Sequence, residues 1–181
     1  MFIGNGPPGA VVITSAERAR DCAKRPVWVL GTGEASTHVI VSQMPDFGFW
    51  DAARMSSERA FAMAGVRHAD IDVAMFYDAF TIVPVMGLES TGFCGRGEGG
   101  PFVSGGRTAP GGPFPMNTNG GGLSYTHSGM YGMFTLVEAV RQVRGECGAR
   151  QVAGAKTAIC HGLGGMFSSA ATLVCGTEIP S

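Results

Sequence analysis

The sequence predicts an α/β fold: a mixed sheet with helices on its faces and a buried central helix. Three observations carry that expectation. Short apolar runs bounded by turn residues alternate with segments of helical period. The chain has 181 residues, 45% hydrophobic and 15% charged, which is enough to bury a core in one domain. The segment Met130–Val143, MYGMFTLVEAVRQV, is apolar nearly all round, the pattern of a helix covered on several sides.

The elements follow in order. AVVIT, residues 10–14, reads as a β-branched strand. Ser15 supplies an N-cap for SAERARDCAK, with Glu17 in its first turn and Lys24 and Arg25 in its last, and Pro26 stops it. VWVLGTGEAS is the second strand. Over residues 49–64, Trp50, Ala53, Met55, Ala60, Phe61 and Met63 mark an amphipathic helix closed by Gly65. VAMFY is then a short buried strand, and residues 79–91 read as a helix in which Pro84 is expected to introduce a kink.

The stretch 92–122 differs in kind, with 12 glycines and four prolines in 31 residues. A loop of that length within a compact domain is functional or disordered. Because it leads straight into NTNGGGLSYTHSG, function is the better expectation. Arg141 and Arg144 suit the C-terminal end of the central helix. KTAICHG and SSAATLVCG close the chain as two strands joined at Gly162–Phe167, close enough for a hairpin.

Composition removes several function classes. A net charge of −1 without a basic cluster argues against nucleic acid and against capture by a charged membrane surface. No apolar run approaches the roughly 18 residues of a membrane span. MFIGNGPPG lacks the basic and apolar regions of a secretory signal. Five cysteines without CxxC spacing fit free thiols in a reducing cytoplasm better than disulfides or a metal site. So few charges on so apolar a chain imply a surface covered by a partner, and a homodimer is expected.

Ionisable side chains recur where a strand or glycine loop turns into the next element: Tyr77 and Asp78, His127, and His161 after Cys160. Helix N-termini at such junctions offer free N–H groups that stabilise a developing oxyanion. Each residue alone is compatible with a structural role, and it is their grouping that points to a site. Strand alternation sends Cys160 and His161 to opposite faces, with His161 expected to face the site. His38 and His68 read as surface residues.

The motifs resemble those of the thiolase superfamily, C-terminal half. N-T-N-G-G-G-L-S-Y-T-H-S-G is similar to the N-P-x-G-G segment that leads to the G-H-P histidine, which places His127 on that histidine. M-F-Y-D-A-F falls where thiolases carry N-E-A-F and sterol-carrier relatives H-D-C-F, and I-C-H-G-L-G-G falls at C-x-G or H-N-x-G. GAVVITSAERA resembles the last strand and helix of a preceding half. The resemblance therefore implies residues 1–25 as a remnant of an N-terminal half and residues 26–181 as a thiolase-like C-terminal domain. It is nearest to the sterol-carrier, lipid-transfer-protein type, including tyrosine-bearing aldol-lyases.

That resemblance implies His127, Tyr77 and His161 as catalytic residues around an acyl-CoA thioester. Asp78, Asn117, Gly121, Tyr125 and Gly164 are its substrate-binding residues. Coenzyme A enters as substrate, with no bound cofactor. The family's nucleophilic cysteine belongs to the other half, and the cysteine of H-D-C-F is Ala79 here. Aldol-type C–C cleavage is thus expected rather than thiolysis, with an N-terminal half and a zinc-ribbon/OB-fold acyl-CoA-binding protein as partners. A phenolate at Tyr77 or an imidazole would act as base. The competing readings are a non-catalytic acyl-CoA- or lipid-binding chain, a dimerisation fragment, and a truncated product.

Overall fold

The computed structural model describes residues 9–125 and 131–179. Four strands, β1 (Trp28–Ser36), β2 (Val73–Phe76), β3 (Thr157–Gly164) and β4 (Ser169–Gly176), form one mixed sheet in the order β1-β4-β3-β2. β3 and β4 are an antiparallel hairpin, β1 pairs antiparallel with β4, and β2 pairs parallel with β3. Helix α2 (Asp51–Ala64) packs on β1 and β4, and α6 (Gly132–Arg144) on β3 and β2. The expected α/β architecture of mixed sheet and flanking helices is the one observed.

Strand alternation divides the core in two. Ala74, Phe76, Ile159 and Val174 meet Ala60, Phe61 and Ala64 of α2. Val73, Met75, Ala158, Cys160 and Cys175 meet Ala139 and Val143 of α6. Helix α2 sits close on β1 because Gly31 and Gly33 face it; a Cβ at either would overlap the carbonyl oxygen of Ala60 or Ser56. Gly65, at φ +65°, closes α2 as its left-handed cap.

Several expectations change. AVVIT forms no strand: Val12 and Ile13 are 94% and 81% exposed, and no described strand runs beside them to complete a ladder. The helix after Ser15 is one short turn, α1 (Ala16–Ala19). Pro84 is the third residue of α3 (Ile82–Ser90), where its missing N–H has no helical acceptor to lose, so the cause of a kink is absent. The 92–122 stretch is not structureless, since it holds α4 (Gly99–Val103) and enters α5 (Gly121–Tyr125). His68 is no free surface residue: its ring stacks on Phe61 at 4.0 Å and its Nε2 lies 2.7 Å from the Thr91 carbonyl.

Helix α6 carries a charged residue on its buried side. Glu138, with its side chain 4% exposed, accepts two hydrogen bonds from Arg150 at 2.9 Å, one from Thr118 Oγ1 at 2.8 Å and one from Gln142 at 3.2 Å. Burial pushes its carboxyl pKa up, but Arg150, Thr118 and Gln142 outweigh that and hold it below the usual carboxylate value. This cluster ties α6 to the loop before α5 and to the turn at Gly148–Arg150. Replacing Arg150 with Met should destabilise the fold by about 3 kcal/mol, because a buried carboxylate loses its counterion. Replacing Glu138 and Arg150 together with apolar residues should cost less than the two single changes combined, as measured by urea denaturation.

Candidate active site

The glycine-rich loop reaches the sheet by docking on the free edge of β2. Ala74 N–H donates to Pro115 O at 3.1 Å, Asn117 N–H to Ala74 O at 2.9 Å, and Phe76 N–H to Asn117 Oδ1 at 2.8 Å. Asn117 adopts φ +48°, a turn conformation that asparagine tolerates better than most residues. Two residues on, Asn119 Oδ1 accepts from Gly121 N–H at 3.0 Å and from the Tyr131 hydroxyl at 3.5 Å.

Asp78 completes the turn. Its buried carboxylate accepts N–H bonds from Gly122 at 2.7 Å and Leu123 at 3.3 Å, satisfying the start of α5. Gly121, at φ +72°, lies so close that a Cβ there would overlap Asp78 Oδ2. Three residues expected to touch substrate, Asp78, Asn117 and Gly121, are thus brought together, and the bonds of Asp78 and Asn117 hold the chain to itself. Tyr125 closes α5; its side chain, and all of His127, lie outside the described residues.

Tyr77 stands at the carboxyl end of β2, next to this turn. Its N–H donates to His161 O at 2.9 Å, and its ring packs edge-on against Tyr131 at 5.5 Å, beside the first turn of α6. Burial, and secondarily the Asp78 charge, raise the phenol pKa above its usual value. That direction is the reverse of what the expected phenolate base requires. At neutral pH Tyr77 is a phenol, suited to donating a proton or hydrogen bond.

His161 is 1% exposed and faces the other way. It pairs in register with Phe76, so its ring lies on the α2 side, 5.4 Å from Phe76 and 5.0 Å from Trp50. Nδ1 is 2.9 Å from Thr172 Oγ1, while Nε2 and the nearby Trp50 Nε1 are buried without a partner among the described residues. Burial lowers its pKa to about 3. The structure therefore does not bring His161 to Tyr77, because adjacent positions in register point alternately through the sheet.

Cys160 takes the face expected of His161. Its thiol donates to Thr135 O at 3.5 Å and borders a cavity of about 610 Å³ beside Gly132, Thr135 and Leu136 of α6. Tyr77 is not in the wall of this cavity. Burial, the largest cause, and the neighbouring Cys175 hold the Cys160 thiol well above its ordinary pKa, so it stays protonated. Gly164 lies three residues past His161, paired with Ser169 near the hairpin tip. The sequence reading missed Thr118 and Glu138 as supports of this region; a lone glutamate within an apolar helix was the available signal.

Residues 33–177 match the family described as thiolase C-terminal domain-like. The chain belongs to that family. It is 35% identical over 163 residues to an acetyl-CoA acetyltransferase of Methanothermobacter thermautotrophicus, covering 90% of this chain and 43% of that protein. It is 36% identical over 140 residues to the 17-hydroxy-3-oxo-4-pregnene-20-carboxyl-CoA lyase of Mycobacterium tuberculosis, covering 75% of this chain and 36% of that protein. The solved Ltp2-ChsH2(DUF35) aldolase superposes with a TM-score of 0.79 at 28% identity, covering 89% of this thiolase-family chain and 42% of that one. The chain spans less than half the length of these relatives. Among the described residues, no helix is long and apolar enough to cross a membrane, and no group of three or more His, Cys, Asp or Glu could hold a metal ion.

The buried imidazole makes stability depend on pH with a definite sign. Unfolded, His161 takes up a proton below about pH 6.5; folded, it does so only near pH 3. Its contribution is complete above the unfolded value and is lost as pH falls through that window. Unfolding free energies from urea denaturation between about pH 6.5 and 5 should therefore drop with a slope approaching about 1.4 kcal/mol per pH unit, and His161→Asn should flatten it.

Proposed function

We propose that this chain is the C-terminal half of a thiolase-fold subunit that breaks or forms a C–C bond in acyl-CoA thioesters by aldol-type chemistry. The observation that carries this reading is Tyr77, a phenol kept protonated at the sheet's carboxyl edge beside the turn that leads into His127. Relatives named a CoA lyase and an aldolase support it.

The residues assign the steps as follows. His127 acts as general base on the hydroxyl of a β-hydroxyacyl-CoA. The electron pair of the Cα–Cβ bond passes to Cα, giving an enolate on the thioester and a free carbonyl compound. Tyr77 donates its phenolic proton to that enolate carbon, and the proton held on His127 returns to the phenolate. Atoms and charge balance without a covalent intermediate, so Ala79 in place of a cysteine is no obstacle. Backbone N–H donors would hold the enolate oxygen. Asp78, Asn117 and Gly121 shape the turn, and Tyr125 and Gly164 are assigned to substrate binding.

The same reading takes residues 1–25 as the end of a preceding half. Its partners are a second copy of the chain, an N-terminal half, and a zinc-ribbon/OB-fold acyl-CoA-binding protein, all in the cytoplasm. The competing reading, an acyl-CoA- or lipid-binding or dimerisation fragment without catalysis, draws on the short span of the chain relative to its relatives.

Turnover of β-hydroxyacyl-CoA should appear on adding an N-terminal half. Tyr77→Phe should then lower aldol cleavage by about 10²- to 10⁴-fold with little change in KM. Undiminished cleavage by this variant would sink the assignment, and binding without turnover in every combination would favour the fragment.

A further inference from the structure

His161 sits at the end of a chain of hydroxyl groups whose direction can be deduced. Ser56 Oγ donates its single proton to Ala53 O at 3.0 Å. With the Ser56 proton so placed, the 2.9 Å contact between Ser56 and Thr172 uses the Thr172 proton. Thr172 has none left for the 2.9 Å contact to His161, so Nδ1 is the donor there. This proton order gives the imidazole its Nδ1–H tautomer, with an unprotonated Nε2 buried beside Trp50.

The backbone of the same residue meets the candidate site. The His161 carbonyl accepts the Tyr77 N–H at 2.9 Å, the hydrogen bond that continues the β2–β3 ladder to the tyrosine. One residue thus joins α2 to the position of Tyr77: its ring is tied through Thr172 and Ser56, and its carbonyl holds the tyrosine's backbone.

We propose that His161 is a positioning residue, whose Nδ1–H bond to Thr172 anchors the end of β3 against α2 and thereby sets Tyr77, and that it exchanges no proton with substrate. This rests on the aldol reading only in making Tyr77 the group that matters. The ring's neighbours, Trp50, Phe76 and Thr172, are uncharged and offer no counterion for an imidazolium. Cys160, one residue earlier, is the side chain that reaches the α6 side.

Two substitutions separate the roles, because an Asn amide overlays Nδ1 and a Gln amide overlays Nε2. In the ¹⁵N-labelled full chain, ring-nitrogen spectra should show His161 as the Nδ1–H tautomer throughout about pH 5 to 8. The Tyr77–Tyr131 ring contact, read as NOEs, should persist in His161→Asn and weaken in His161→Gln. In an assembly that turns over, His161→Asn should keep cleavage within about threefold of wild type with an unmoved pH profile, and His161→Gln should lose at least about tenfold. An Nε2–H tautomer, a ring that titrates in that window, or a pH profile that loses a limb in both variants would overturn the proposal. If wild type turns over no β-hydroxyacyl-CoA, the aldol reading fails, while the tautomer and NOE measurements still decide how His161 acts.

Discussion

The free edge of β2 is the constraint on which the rest of this site depends. A four-residue strand at a sheet edge leaves backbone groups unpaired, and the segment Pro115–Asn117 supplies their partners. That docking places the glycine turn at the end of β2 in both position and direction. Asp78, immediately after the strand, then takes the first N–H groups of α5. One short edge thus sets the phenol of Tyr77 against Tyr131 at the start of α6.

The Glu138 cluster serves the same arrangement from behind. Thr118 belongs to the docked turn and donates to a carboxylate that Arg150 neutralises. An ionised group on the buried side of a helix is costly unless every lone pair is met, and here several donors converge on it. Loop, helix and following turn are therefore coupled electrostatically as well as by packing. The coupling leaves the far side of α6 half-buried, where Val137 and Val140 border a second cavity with Ala10–Val12.

Sheet geometry also sorts the chemistry. Tyr77 packs on Tyr131 at the start of α6, whereas the His161 ring lies among Trp50 and Phe76 on the α2 side. The two residues are neighbours through a backbone hydrogen bond and yet present their side chains to different cores. Tyr77 keeps its proton because burial and Asp78 both oppose a phenolate. A donor role for this tyrosine follows from that environment more directly than a basic one.

Much of the fold was legible because local pattern and global packing agree. The α2 period with Gly65 beyond it, the VAMFY run and the closing hairpin all carry their signals within about ten residues of sequence. Opposite orientation of Cys160 and His161 was equally legible, since alternation is intrinsic to a strand. Which of the two faces the α6 side was not, because that depends on where separate helices dock. AVVIT misled for a related reason: β-branched residues favour an extended chain, but a strand exists only when another segment supplies its ladder. The sequence by itself determined the elements from β1 onward and the order of the motifs. Tertiary structure alone decided the burial of His161, the direction of the Tyr77 pKa and the use of Asp78 as a helix cap, because each is set by groups distant in the chain.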